Sequence, residues 1–525
     1  MDRGTTVLQA AAELGFDIPH FCYHPALSIP ANCRMCLVEV ERARTLLPAC
    51  CTQVTDKMVV HTENETVKQA RRAVLEFILV NHPVDCPICD QAGECKLQDY
   101  YLAYDAQASR VRTTKVTKVK VYPLGPEVVY DGERCILCTR CVRFCNEVTG
   151  TAELTVVERG DRSGIRTFPG QELDNAYSMC TVDLCPVGAL TSRDFRFKCR
   201  VWLLSSADSI CTGCSRGCAI HMEHHQSEVQ RYRPRYNPEV NEYWMCDEGR
   251  LSYKELHRED RLTKLQINGA SFTWPQGLEK AASMLGGAIE SHGKDGVGVV
   301  FSPQATCEDL FMARRFALEA LGTNNHYVGG KPGGQGDDFL ITPDKDPNRN
   351  GLLVMFPRRS RPAPFEQLIE DMRSGKIRVL YMMGSEIPVE GQLREDFLAE
   401  VAKLDLFVLQ ASRGGELADT ARIILPACTH AEKDGTFINV DGIAQSVTKA
   451  FEPHGRSRAD WQIFMRLGRK MGAEMSYTFF KELREEMVAL MTKNTTEVDE
   501  EPPAEEEPQQ PEQEESTQEA AGADA

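Results

Sequence analysis

The sequence predicts a multidomain protein of mixed class, α+β in its first half and α/β in its second. Three observations carry that reading. Nineteen of the 21 cysteines lie before residue 250, leaving only Cys307 and Cys428 beyond it. From about residue 260 strands alternate with amphipathic helices, the grammar of a parallel sheet. The chain closes on a Glu/Pro/Gln-rich stretch that cannot bury a core. A chain of 525 residues is long enough for roughly three to five domains.

Charge and hydropathy exclude several classes. The net charge is −17, but twelve acidic residues and no Lys or Arg fall between Glu497 and Asp524, and without them the balance is −5. The acidity belongs to the tail and argues against nucleic acid as a partner. The opening M-D-R-G-T-T-V-L-Q-A has neither the long apolar core nor the cleavage site of a signal peptide. The longest apolar stretch, about Val74 to Val80, is far too short to span a bilayer. The expectation is a cytoplasmic protein with reduced thiols, in which cysteine clusters bind metal rather than pair as disulfides.

Taken in order, residues 5–15 read as a short helix capped by Thr5 or Thr6 and stopped by Gly15. Asp17 to Pro30 is loop-like. Cys36 to Val40 and Met58 to His61 read as short strands. Glu65 to Asn81 is a helix that must end at His82, because Pro83 disfavours helical geometry in the residue before it. In the second half, Leu278 to Ile289 is helical, Val297 to Phe301 a strand and Thr306 to Leu321 a capped helix. Arg378 to Met383 is a strand, Gln392 to Lys403 a helix and Asp405 to Gln410 a strand.

Four groups of candidate metal ligands stand in the first half. Iron–sulfur centres need thiolates presented from loops at short spacing, so that several can close on a compact inorganic core. The first group is Cys22, Cys33, Cys36 and Cys50, with Cys51 a possible substitute for Cys50. A loop pair with a distant fourth ligand is similar to plant-type [2Fe–2S] proteins, though their first gap is shorter. The second is His82, Cys86, Cys89 and Cys95, within a stretch broken by Pro and Gly. One neutral imidazole among three thiolates leaves the site less negative and favours reduction. Standing between the first and third groups in sequence, it reads as a middle relay.

The third group is Cys135, Cys138, Cys141 and Cys185. The run C-I-L-C-T-R-C-V-R-F-C followed far along by Cys185-Pro186 is the bacterial ferredoxin spacing for [4Fe–4S], with Cys145 and Cys180 left over. The fourth is Cys211, Cys214, Cys218 and Cys246, a tight triplet with glycines at its turns and one remote partner. Zinc can use the same ligand types in the first, second and fourth groups, and spacing alone leaves it open there.

In this order the groups resemble the iron–sulfur large subunit, the 75-kDa type, of respiratory NADH:quinone oxidoreductase (complex I). The likeness is close over residues 4–250. It is carried by F-C-Y-H-P (21–25), C-R-M-C-L-V-E-V (33–40), D-C-P-I-C-D-Q-A-G-E-C (85–95), C-I-L-C-T-R-C-V-R-F-C (135–145) and C-P-V-G-A-L-T (185–191). The resemblance implies one [2Fe–2S] cluster in the first group and three [4Fe–4S] clusters in the others. It also implies a β-grasp first domain, whose opening hairpin is missing here.

The remainder resembles the molybdopterin-oxidoreductase fold, through L-G-T-N-N (321–325), A-D-T-A-R-I-I-L-P-A (418–427) and E-K-D-G-T-F-I-N (432–439). An NAD-linked formate dehydrogenase has a similar first half and is, with hydrogenase, the rival reading. It needs a Cys or selenocysteine ligand soon after L-G-T-N-N, and residues 326–336 hold none. No molybdopterin is therefore expected.

The implied domains are 1–62 ([2Fe–2S] ferredoxin-like), 63–105 (the segment of one histidine and three cysteines), 106–203 ([4Fe–4S] ferredoxin-like), 204–260 (fourth cluster segment), 261–496 (α/β) and 497–525 (disordered tail). By resemblance the chain is an electron-relay subunit with no substrate site of its own. Its implied partners are the flavin/NADH-binding subunit and the quinone-module iron–sulfur subunits. Its place is peripheral, on the cytoplasmic side of the membrane.

Overall fold

The computed structural model describes residues 3–105 and 107–496, so the acidic tail expected from residue 497 lies outside the described residues. The first helix runs Val7–Glu13. Thr6 and Gln9 form a capping box at its start, and Gly15 follows its end in the left-handed region. Its apolar face, Val7, Leu8 and Ala11, packs on Val38 and Val40 of a small antiparallel sheet. That sheet has the order Leu47–Pro48, Leu37–Val40, Val60–His61. The expected strand from Met58 is shorter, because Lys57 turns the chain in the left-handed region just before it. The helix Glu65–Leu79 is capped by Asn64 and stops short of Pro83, as the proline demands.

Residues 122–192 form a second α+β unit. Strands Tyr122–Pro123, Val128–Tyr130 and Leu190–Ser192 pair antiparallel, and helices Arg140–Glu147 and Cys180–Leu184 pack together beside them. The next segment holds a three-stranded antiparallel sheet that the sequence reading did not foresee, of Ser205–Ile210, Ala219–His225 and Glu228–Pro234. Its strands are polar (S-S-A-D-S-I, A-I-H-M-E-H-H) and carry no apolar run long enough to stand out. One apolar core, including Phe21, Leu97, Phe144, Leu190, Ile220 and Trp244, joins the Phe21 loop, the second unit and this sheet, while the first helix and its sheet keep a core of their own.

The second half is an α/β layer structure, as expected. Its seven-stranded sheet has the order Ala270–Phe272, Leu265–Ile267, Ile423–Pro426, Leu406–Ala411, Val379–Met383, Val297–Phe301, Asn325–Val328. The last five are parallel and the first two form an antiparallel edge. The inner strands are buried at every position, which is why they read as unbroken apolar runs. The helix expected at Leu278 begins earlier, at Trp274, since Pro275 suits the first turn. The helix expected over Thr306–Leu321 is α-helical only over Cys307–Arg315, then widens to a π turn over Phe316–Leu321. Among the described residues no helix is long and apolar enough to cross a membrane.

A buried ionic knot ties the helices of this half to its sheet. Lys433 Nζ lies 2.6 Å from Asp309 and 2.7 Å from Asp460, and Gln410 donates to Asp460 at 2.8 Å. Against the desolvation of a buried amine, the two carboxylates hold the Lys433 pKa above the ordinary lysine value. Removing the lysine strands two carboxylates in a water-poor site. Lys433→Ala should cost about 3–5 kcal/mol of stability, read as a large fall in the thermal midpoint of the second half.

Candidate metal centres

The first set assembles from a loop and a strand edge. Cys22, Cys36 and Cys50 are buried, and Cys33 is half-buried. The free thiols of Cys22 and Cys33 hydrogen-bond to each other, as do those of Cys36 and Cys50. The bond from Cys22 draws the Cys33 pKa down to about 5. Cys51 is exposed, its thiol turned to Pro48 O at 3.7 Å, so the suggested substitute stands outside the set.

In the second set Cys86 sits on a 3-10 turn with Cys89 and Cys95 close by, near enough to perturb one another electrostatically. Burial drives the His82 pKa down to about 4, leaving the ring neutral and able to donate a lone pair. Its Nδ1 is buried with no hydrogen-bond partner. Asp85 and Arg134 neighbour both His82 and Cys89, and pair with each other at 2.8 Å.

The third set is brought together by the loop before the helix Arg140–Glu147 and by the end of Cys180–Leu184. Cys135, Cys138, Cys141 and Cys185 all act on one another. Leu137 and Thr139, between the ligands, adopt left-handed backbone, which turns the Leu137 amide to the Cys135 sulfur at 3.4 Å. A non-glycine residue there costs roughly 1–2 kcal/mol, which the loop bears in order to aim its donors at sulfur. The two cysteines left over are both buried. Cys145 lies behind Cys141, and Cys180 bonds to Met245 O at 3.2 Å.

The fourth set is Cys211, Cys214, Cys218 and Cys246, again in mutual range. Gly213 N and Gly249 N approach the sulfurs of Cys211 and Cys246 at 3.4 and 3.3 Å.

The second, third and fourth sets share one electrostatic problem. Burial pushes the Cys138 thiol up to about 12, Cys185 and Cys246 to about 11, and Cys141 and Cys218 well above the ordinary value. Several thiolates together in such places need cationic metal to compensate them. Two glycines complete the cradles. A Cβ on Gly188 would stand 2.3 Å from Cys89 Sγ, and one on Gly249 would meet Cys211 Sγ at 2.8 Å and Cys246 Sγ at 3.2 Å. Among the described residues no three His, Cys, Asp or Glu side chains are arranged as the ligand shell of one ion. The thiols, the partnerless His82 nitrogen and the glycine cradles fit clusters held from loops.

The third set is the hub. Its flanking residues touch all three others: Lys96 N donates to Pro186 O at 3.2 Å, Asp247 N to Ala176 O at 2.8 Å, and Arg143 Nη2 to Cys22 O at 2.5 Å. The second set had read as a middle relay from its place in the chain. In space the third set also borders each of the others, since the chain around Arg140–Glu147 and Cys180–Leu184 contacts all three. Sequence reasoning also missed the residues joining the sets, Arg134, Arg140, Arg143, Gly188 and Arg250. Arg140, Arg143 and Gly188 do stand inside the cluster motifs, where only the cysteines carried a signal.

This architecture defines the class: an iron–sulfur protein of several linked centres on an α/β base. Family descriptions match along the chain in the same order. They are a 2Fe-2S iron-sulfur cluster binding domain over residues 1–65 and an NADH-ubiquinone oxidoreductase-G iron-sulfur binding region over 71–110. The NADH-quinone oxidoreductase subunit 3 ferredoxin-like domain matches 125–191, an NDSU1/NuoG-like 4Fe-4S domain 205–254, and molybdopterin oxidoreductase 360–470. Over much of its length the chain is a homologue of the G subunits of bacterial NADH-quinone oxidoreductases and of a 75 kDa subunit of NADH-ubiquinone oxidoreductase.

It is 39% identical over 330 residues to the G subunit of the Streptomyces coelicolor NADH-quinone oxidoreductase, covering 62% of this chain and 39% of that protein. The Reclinomonas americana 75 kDa subunit is 46% identical over 257 residues, covering 49% of this chain and 37% of the relative. The Candida albicans mitochondrial 78 kDa subunit is 29% identical over 91% of this chain and 82% of its own length. The chain thus spans less than half the length of several curated relatives, 39% of the Streptomyces protein and 48% of that from Rickettsia bellii. A chain of an NAD+-reducing [NiFe]-hydrogenase is 29% identical, with a TM-score of 0.35, over 38% of this chain and 86% of that one.

Proposed function

We propose that the chain is an electron-relay subunit of an NADH:quinone oxidoreductase. It would take single electrons from a flavin/NADH-binding subunit and pass them towards iron–sulfur subunits of a quinone-reducing module. In this reading Cys22, Cys33, Cys36 and Cys50 hold [2Fe–2S]. His82, Cys86, Cys89 and Cys95 hold the first of three [4Fe–4S] clusters, Cys135, Cys138, Cys141 and Cys185 the second, and Cys211, Cys214, Cys218 and Cys246 the third. The observation that carries it is that the third ligand set is bonded to the segments of the other three.

When bound, the clusters supply reversible one-electron chemistry. The chain's residues do the rest. Loop amides at Leu137, Gly213 and Gly249 point at sulfur, and buried arginines balance charge. The domain division at residues 62, 105, 203 and 260, and a peripheral place on the cytoplasmic face, belong to the same proposal.

The second half is structural in this reading, without molybdopterin. The crevice at the carboxyl ends of its parallel strands, lined by Ser302, Gly384, Arg413 and Lys433, encloses about 130 Å³, against roughly 300–1,000 Å³ for cofactor pockets. Two of its cations are already engaged: Arg413 pairs with Glu255 and Lys433 with two carboxylates. Bound molybdenum or tungsten would favour the formate dehydrogenase alternative.

The test is reduction by NADH. With the flavin subunit present, NADH should develop the cluster EPR signals; the isolated chain should show none. NADH reduction of the isolated chain would mean a nucleotide site of its own and would overturn the relay reading.

A further inference from the structure

Two arginines on one helix reach from the third ligand set into the first. Arg140 and Arg143 lie on Arg140–Glu147 and are 6% and 8% exposed. Arg140 Nη1 donates to Leu184 O at 3.2 Å, the carbonyl beside Cys185, while its Nη2 donates to Tyr23 O, beside Cys22. Arg143 Nη2 donates to Cys22 O at 2.5 Å and approaches Cys138 O at 3.4 Å; its Nη1 donates to Ser28 O. Each guanidinium therefore grips a ligand loop of both sets at once.

Their charge is unbalanced by ordinary means. A buried arginine is expensive unless a counter-charge faces it. Among the described residues neither side chain forms an ion pair with a carboxylate, and Arg140 Nε is buried with no partner at all. What faces the Arg140 guanidinium is the chain beside Cys185 and beside Cys22, through Leu184 O and Tyr23 O. Carbonyl dipoles alone do not neutralise two buried cations, so the compensation must come from the ligand sets themselves.

We propose that Arg140 and Arg143 are positioning residues that serve as shared counter-charges of the first and third clusters. They tie the two reduction potentials together through their charge. The inference rests on the relay reading above. A cluster held by four thiolates is anionic and gains negative charge on reduction, so a nearby fixed cation favours the reduced form and raises the potential. Because each guanidinium touches both loops, its removal acts on both clusters.

The test is a potentiometric EPR titration of the full chain, loaded anaerobically, in wild type and in Arg140→Gln, Arg143→Gln, Arg140→Lys and Arg143→Lys. Iron and sulfide are measured on each sample. In the Gln variants the first and third cluster signals should both move to lower potential, while the second and fourth stay where they were. The Lys variants, which keep the charge and lose the fork of carbonyl bonds, should stay near wild type. Loaded Gln variants with unmoved potentials would overturn the proposal, as would a shift confined to the third cluster. Should a Gln variant fail to load, the Lys variants decide. Wild-type potentials there support a charge effect, and displaced potentials refute it. Wild-type chain without iron and sulfide would sink the relay reading itself, a different outcome from loaded clusters that do not respond.

Discussion

Replacing Cys138 with alanine should remove one [4Fe–4S] EPR signal and stop quinone reduction by the assembled complex. Cys138 stands between the left-handed residues Leu137 and Thr139 and acts directly on Cys135, Cys141 and Cys185. With one thiol gone, the other three are left in a buried site that already pushes thiols up, with Cys185 at about 11. The variant should lose one cluster's share of iron and sulfide while the remaining signals persist. Electron flow should fall to background rather than decline in part, because in the proposed relay the third set borders each of the others. Unimpaired NADH-driven turnover in a variant shown to lack that signal would contradict the relay.

Gly188→Ala should have the next largest effect, and it should fall on a different cluster. Gly188 follows Cys185-Pro186 in the chain, yet the added methyl would stand 2.3 Å from the sulfur of Cys89 and 3.1 Å from Gln91 Cβ. A free thiol could rotate away at modest cost. A sulfur fixed to iron cannot, so the loop must move instead. Overpacking of this kind costs about 1–3 kcal/mol. The expected result is loss or marked distortion of the His82/Cys86/Cys89/Cys95 signal, with the third cluster still loaded. A variant with full iron content and an unchanged second signal would show that Cys89 Sγ is not held there.

How much of this was legible beforehand depends on where the information lies. The third set could be read because its triplet is local and its remote member is flagged by Pro186. The parallel strands could be read because burial on both faces leaves runs such as V-G-V-V-F and V-L-Y-M-M. The sheet over Ser205–Pro234 could not, since its strands are polar and the tight turn between the last two, at Gln226 and Ser227, takes the left-handed region with no glycine to mark it. The roles of Arg140 and Arg143 were invisible for a related reason. On a helix, an arginine reads as a solvent-facing residue, and only the packing of Arg140–Glu147 against the Cys22 loop buries them. The spatial order of the sets also escaped, because order along a chain says nothing about which segment borders the others. The left-handed residues Leu137 and Thr139 carry no glycine to announce them.

The central claim is that the four sets hold iron–sulfur clusters rather than single ions. It is tested most directly by iron, zinc and acid-labile sulfide analysis of the purified, anaerobically handled full chain. The account predicts iron and sulfide in equal amounts, roughly fourteen of each per chain for one [2Fe–2S] and three [4Fe–4S] clusters, with little zinc. Zinc in place of iron, with no labile sulfide, would contradict it.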